Sequence, residues 1–572
     1  MPRFSHLLCL VLMIVTAYSY ADMKLSIKGL SGELADNVDA RVSLIEPNKI
    51  NNSPNFKRYF ESEAQKALRA LGYYSPSFEY FEQDPKVLTV KISPGVPVLV
   101  EQLNINITGE GEQDKDFNEL LEHDLPKKGD ILNHGSYESF KKALLNLSLE
   151  KGYFDANMSK HQLAVSNYEH QAFWNIDFNT GQRYKFGKVS FPNVKIRKDY
   201  LANLVPFKEG EKYTAEQLSI LNRRLNSTNW FNSVLVTPDF PHLSDDKTLP
   251  IEVTTSPRKR NSMDLGLGYS TDNGVHGKIG WSKPWINSRG QSFQSDLSLS
   301  SPEQMITMSY KIPLKKSPLE QYYTIQGGYK KIDNNDTYSR SYTFGALRNW
   351  DHFEGWQTAL GINMLRDDFT QGYSSYKTFL YYPSLSLSRI RSDGNLLAMW
   401  GDSQRYSVEA AAESLGSDIN LVRFQAQQTW IRSLKESHRF IVRGNFGIIR
   451  ASNFDRVPPS FRFFAGGDRS IRGYSYQSIS PEDKKGKLKG ASKLITGSAE
   501  YQYNLSGPWW GALFVDSGEA IDKVDKAKFY TGSGFGIRWS SPVGPIKLDL
   551  ATPLNRKDKG SIHLYIGLGS EL

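Results

Sequence analysis

The spacing of apolar positions changes once along this chain, near Pro257, and that change divides it. Before Pro257, three stretches repeat apolar residues every three or four positions. Phe56, Phe60, Ala64, Ala67, Leu68 and Leu71 share one helical face. Tyr137, Phe140, Leu144 and Leu147 form a second face, and Leu218, Leu221 and Leu225 a third. Gly72, Gly152 and Asn229 stand where each helix needs a left-handed residue to stop. Short alternating segments follow at 87–92, 173–178 and 249–253, and the turns Pro94-Gly95 and Thr180-Gly181 lead into further strands at 99–107 and 185–191. The unit recurs about every 80 residues. The pattern predicts three tandem α/β modules, at 22–98, 99–182 and 183–257. They are either a segmented arm that handles other polypeptides by adding strands to open sheet edges, or spacers.

After Pro257 the period falls to two. Phe293, Leu297 and Leu299 interleave with Gln294, Asp296 and Ser298, and Ile546, Leu548 and Leu550 with Lys547 and Asp549. Turn signals such as Asp272-Asn273-Gly274 separate the segments. The spacing predicts an all-β transmembrane barrel of about 16 antiparallel strands over 258–572, with both ends on the periplasmic side. The long 452–491 connection then follows the eleventh strand on the outer side and is expected to fold into the lumen. Ile562, Leu564, Ile566 and Leu568 in the last strand face lipid, while Gly567 and Gly569 turn inward, and this strand is expected to pair with the first near Leu265, Leu267 and Tyr269. These two strands are expected to meet at a weak lateral seam.

The long connection contains Gly466-Gly467-Asp468-Arg469-Ser470-Ile471-Arg472-Gly473-Tyr474. Three glycines permit tight turns and close approach, and two arginines bring rigid charged forks. Period two turns Glu500 into the lumen, and Asp516 with it beside Phe514. Gly532, Gly534 and Gly536 line one face of the next strand with Arg538, which opens space in the wall. Arg472 is therefore either clamped between Glu500 and Asp516 against that stripe, or a solvated loop charge beside glycines that ease curvature.

Composition narrows the classes. Of 572 residues 12% are aromatic, which suits interfacial girdles. Mean hydropathy is −0.48, and no later segment has the roughly 18 consecutive apolar residues of a spanning helix. Arg3 and His6, the apolar run 7–17 and Ser19-Tyr20-Ala21 predict a signal peptide over 1–21. The one cysteine, Cys9, lies inside it, so no disulfide is expected afterwards. The net charge of +9 is spread along the chain and makes no nucleic-acid footprint. No nucleophile elbow, P-loop or His-Glu-x-x-His is present, so neither catalytic nor metal residues nor a cofactor are expected. Lys484, Lys485, Lys487 and Lys489 are either a solvated run or a contact for anionic outer-membrane lipid.

Arg472-Gly473-Tyr474 resembles the Arg-Gly-Phe/Tyr loop signature of the Omp85 superfamily of outer-membrane assembly and translocation proteins. The stretch 461–470 and the ending Gly567-Leu568-Gly569-Ser570-Glu571-Leu572 are most similar to the branch formed by outer-membrane subunits of translocation and assembly modules. The resemblance covers the whole mature chain, with the three modules as POTRA-like domains. It implies that Glu500 and Asp516 pair with the loop arginine. It also implies a non-enzymatic factor that helps insert or secrete autotransporter-type and other barrel proteins, with a TamB-like inner-membrane-anchored partner at the periplasmic modules. A two-partner secretion transporter is the alternative, though that family generally has two modules and a plug helix. Many relatives end on an aromatic residue, whereas this chain ends on Leu572.

Overall fold

The computed structural model describes residues 23–84, 86–395, 397–542, 544–555 and 561–568. The expected leader with Cys9, and Gly569 to Leu572, lie outside the described residues. The chain forms two compact units. One runs to Lys188 and includes 207–218 and 239–250; the other holds 189–206, 219–238 and everything from Ile251 on.

Each module is a three-stranded sheet with helices on one face. The strand that comes last in sequence lies in the middle of every sheet, parallel to the first in both modules of the first unit. The helix Pro54–Ala70 begins where Ser53 Oγ accepts the Phe56 N–H and Pro54 takes the first helical position. It ends at Gly72, whose φ is 89°. Its buried face, Phe56, Phe60, Ala64, Ala67 and Leu68, covers Leu88, Val90 and Ile92. The second module repeats the scheme with His134–Lys151, capped by Asn133 and stopped at Gly152, over Trp174, Ile176 and Phe178. In the third, Ala215–Ser227 buries Leu221 and Leu225, and the chain reverses at Asn229 with φ 58°. Each module also has a shorter helix that the apolar period does not reveal: Glu33–Val42, Lys115–His123 and Lys198–Ala202. These are 10, 9 and 5 residues long, against 17, 18 and 13 for the others, too short to repeat an apolar spacing clearly.

The rest of the chain is one sheet of sixteen strands, each antiparallel to the next, from Ser262–Ser270 to His563–Leu568. The 452–492 connection follows the eleventh strand, His438–Ala451, and folds back inside the barrel. Val457, Phe461, Phe463, Ala465, Ile471 and Ile479 of the connection join Leu365, Leu380, Leu421, Ile449 and Leu494 of the wall in one buried cluster. Those wall residues point inward although they are apolar, because the loop rather than water covers them. Arg462 knots the loop: its guanidinium donates to the backbone carbonyls of Val457, Lys489 and Asp455 at 2.8, 2.6 and 2.7 Å. Replacing it leaves three carbonyls short of a charged donor. Arg462→Gln is expected to destabilise the loop by at least about 3 kcal/mol, seen as faster hydrogen exchange confined to 452–492.

Candidate functional site

The tip of the long loop is bent by three residues that only glycine tolerates well. Gly466, Gly467 and Gly473 have φ of 100°, 105° and 97°. Between them the chain carries Arg472 down to the wall, where it is 2% exposed. Its Nε donates to Asp516 Oδ2 at 2.7 Å, and one Nη to Asp516 Oδ1 at 3.0 Å, a two-pronged pairing. The other Nη reaches Glu500 Oε2 at 2.8 Å and Asp549 Oδ2 at 3.1 Å. The Arg472 backbone N–H also donates to Asp516, at 3.0 Å. The guanidinium stacks on Phe514, 3.4 Å from the ring centre.

The clamp is larger than one arginine and two acids. Arg538 donates to Glu500 Oε1 at 2.7 Å and to both oxygens of Asp549. Arg443 approaches Glu500 at 3.6 Å. Three guanidiniums therefore face three carboxylates, Glu500, Asp516 and Asp549, and the charge balances once the half-buried Arg443 is counted. One arginine between two acids would leave an uncompensated negative charge in a low-dielectric site. Asp549, Arg538 and Arg443 remove that deficit. The glycine stripe makes the room: a Cβ on Gly532 would overlap the Arg472 carbonyl oxygen, and one on Gly536 would overlap the Asp549 carboxylate.

Arg469 does not enter the clamp. It stays exposed at the tip, where its charge acts on Asp272 in the turn between the first two strands. Asp468 donates its backbone N–H to Asp272 Oδ2 at 2.7 Å. Burial beside the Asp468 carboxyl pushes the Asp272 carboxyl up to about 8. Gly473 and Tyr474 meet the last strand instead: the Gly473 N–H donates to the Tyr565 hydroxyl at 3.0 Å, and that hydroxyl donates to the Tyr474 carbonyl at 2.7 Å. The single residue step from Arg472 to Gly473 thus joins the clamp to the sixteenth strand.

Where the wall begins and ends, Leu265 and Leu267 are 78% and 85% exposed, and Tyr269 and Leu564 are exposed as well. Ile566 is half-buried, and Gly567 lies close to Asp468. Gly569 falls outside the described residues. Among the described residues no backbone ladder joins the sixteenth strand to the first. A side chain bridges them: Thr271 Oγ1 donates to the Leu564 carbonyl at 2.9 Å and accepts the Ile566 N–H at 3.1 Å. The loop lysines fold back on the outer rim, with Lys485 and Lys487 over the Tyr373 ring at 4.0 and 4.4 Å and Lys487 at 3.8 Å from Asp336.

A sixteen-stranded barrel with an inward-folded, arginine-pinned loop and N-terminal α/β modules defines an outer-membrane protein with a periplasmic arm. Residues 259–572, more than half of the chain, match the Omp85 superfamily domain. The chain belongs to the Omp85 superfamily, and sits in the bacterial outer membrane with its modules in the periplasm. Residues 24–94 match the POTRA domain TamA domain 1, and 184–256 match a POTRA model described as a surface antigen variable number repeat. The outer membrane protein assembly factor BamA of Neorickettsia risticii is 21% identical over 84% of this chain and 68% of its own length. That of Neisseria meningitidis serogroup B is 22% identical over 65% of this chain, which spans about half, 54%, of the relative. The crystal structure of Haemophilus ducreyi BamA lacking POTRA domains 1–3 shares the fold, with a TM-score of 0.69 at 17% identity over 82% of this chain and 98% of that one.

Two outcomes follow from this geometry. Arg472→Ala strands three carboxylates with two arginines and is expected to cost about 3–5 kcal/mol, while Arg472→Lys keeps the charge but loses the fork and falls between. Thermal unfolding in detergent measures both. Asp272 has a raised pKa, so the folded tip holds a proton that the open tip does not. That contribution is full below the ordinary carboxylate range and is lost as pH rises to about 8. Protection of the 466–474 amides, corrected for intrinsic exchange, should fall between pH 5 and 9 in the wild type and stay level in Asp272→Asn.

Proposed function

We propose that this protein is the outer-membrane subunit of a translocation and assembly module, a TamA-like factor that helps insert or secrete autotransporter-type and other barrel proteins. Clients would enter through a lateral seam between the first and sixteenth strands. The observation that carries this reading is the Thr271 bridge standing where a strand ladder would close the wall. Apart from the Leu564 C=O and Ile566 N–H that Thr271 takes, the backbone groups of Leu265 to Tyr269 and of Leu564 to Gly567 that face this junction have no strand ladder among the described residues, and lipid cannot satisfy them. A client strand can satisfy them by edge addition. The match of the first module to a TamA-type POTRA domain supports this branch of the superfamily, and with it a TamB-like inner-membrane-anchored partner at the periplasmic modules. Passage of an exoprotein through the lumen, the alternative, is disfavoured by the loop core packed against the inner wall of the seventh to thirteenth strands.

The test is a reversible lock. Thr271→Cys with Ile566→Cys puts one thiol on each side of the junction, on two residues already joined by the 3.1 Å contact from the Ile566 N–H to Thr271 Oγ1. Oxidation should stop assembly of a model autotransporter, and reduction should restore it. Full assembly by the oxidised protein would remove the seam from the mechanism.

A further inference from the structure

The outer wall carries charge where a lipid-facing surface should not. Leu360, Leu385 and Val408 pair across the seventh, eighth and ninth strands and are exposed, so their row faces the membrane. Following the same face toward the periplasmic turns, Leu387 is the last apolar position on the eighth strand, Ser374–Ser392. Arg389 and Arg391 come next on that face, at every second residue. Their cross-strand partners are Trp356, Gln404 and Asp402, and Asp402 pairs onward with Trp430. Arg432 lies two residues further on the tenth strand, Leu421–Leu434. Tryptophans at this height mark the interfacial girdle.

The three arginines share one buried acid. Asp402, 1% exposed, lies 2.8 Å from Arg391, 3.4 Å from Arg432 and 3.7 Å from Arg389. Glu354 is 3.9 Å from Arg389 and largely exposed. Asp393, in the adjoining turn, is spent on the backbone N–H groups of Asn395, Met399 and Trp400. Arg391 and Arg432 therefore split a single carboxylate between them. Both also lie over the Trp400 ring, at 5.3 and 5.0 Å, and Arg389 lies over Trp356 at 4.5 Å. One Arg432 Nη also donates to the Gly401 and Ile431 carbonyls, both at 2.7 Å, and Arg391 spends Nε and one Nη on Asp402, which leaves the Arg432 Nε and the second Arg391 Nη for a ligand on side chains that are 47% and 34% exposed. Planar forks with unspent donors suit the non-bridging oxygens of a phosphodiester.

We propose that Arg389, Arg391 and Arg432, set against Trp356 and Trp400, bind the phosphate of an anionic phospholipid in the periplasmic leaflet of the outer membrane. The occupant is a lipid rather than free phosphate, because the rows immediately above, Leu387 and Leu385, are apolar and would lie along its acyl chains. Bound there, the lipid would hold the barrel at a fixed height through the eighth to tenth strands, far around the wall from the seam.

The full mature chain in nanodiscs tests this. Lipid retained on extraction is read by native mass spectrometry, from discs of zwitterionic phosphatidylethanolamine alone or with added phosphatidylglycerol or cardiolipin. The wild type should retain the anionic lipid preferentially. Arg432→Gln should weaken that preference about fivefold, and Arg391→Gln with Arg432→Gln about thirtyfold. Arg432→Lys should keep most of it, and it guards against misfolding because Asp402 keeps a cationic neighbour at that position. No anionic preference in the wild type would overturn the proposal, as would a preference unchanged in folded variants, folding being judged by heat-modifiable migration. Equal displacement by millimolar inorganic phosphate would assign the site to the free ion and overturn it too.

Discussion

Five buried charges, balanced by a sixth that is half-buried, are what the rest of the barrel depends on. Arg472 comes from the loop; its partners come from five consecutive strands, the eleventh to the fifteenth, through Arg443, Glu500, Asp516, Arg538 and Asp549. No member of such a set is dispensable, since the loss of one leaves another uncompensated where water cannot reach. The network therefore fixes the relative heights of those five strands as firmly as their ladders do. It also roots the loop, whose own apolar core then packs against the inner wall. Stiffness is concentrated on this side of the wall, and compliance is left to the side where the sheet begins and ends.

Much of this was legible in the sequence, and what was not shares one cause. Period two is a local property, so it separates Glu500 and Asp516, which the structure buries, from Leu564, which it exposes. Which inward residues meet is not local. Asp549 and Arg538 stood on recognisably polar or glycine-lined faces, yet a lumen has many such positions. Choosing among them needs the stagger of the strands. Charge balance was the available signal: two acids and one arginine in a buried site should have prompted a search for a further cation. The Asp272–Asp468 contact brings two acids together, which pairing by opposite charge does not suggest. It persists because a backbone N–H, not a cation, is what Asp272 accepts. In the modules, helices of 13 to 18 residues repeated their apolar spacing often enough to declare themselves, whereas Lys198–Ala202, with five residues, could not.

The loop tip links the clamp to the place where the first and last strands meet. Gly473 follows Arg472 directly and donates to Tyr565, while Asp468, four residues before Arg472, donates to Asp272. The loop tip thus touches the last strand and the first hairpin from a single anchored turn. In the proposed mechanism this arrangement has a definite consequence. A closed ladder between first and last strands would need many backbone bonds broken at once, in a medium that cannot replace them. A side-chain bridge at Thr271, backed by a loop tip held from behind, needs only a few, and the tip returns to the same place because Arg472 never leaves its carboxylates. The wall can then part locally without losing its register, so the client strand, rather than a refolding of the barrel, determines how far the seam opens.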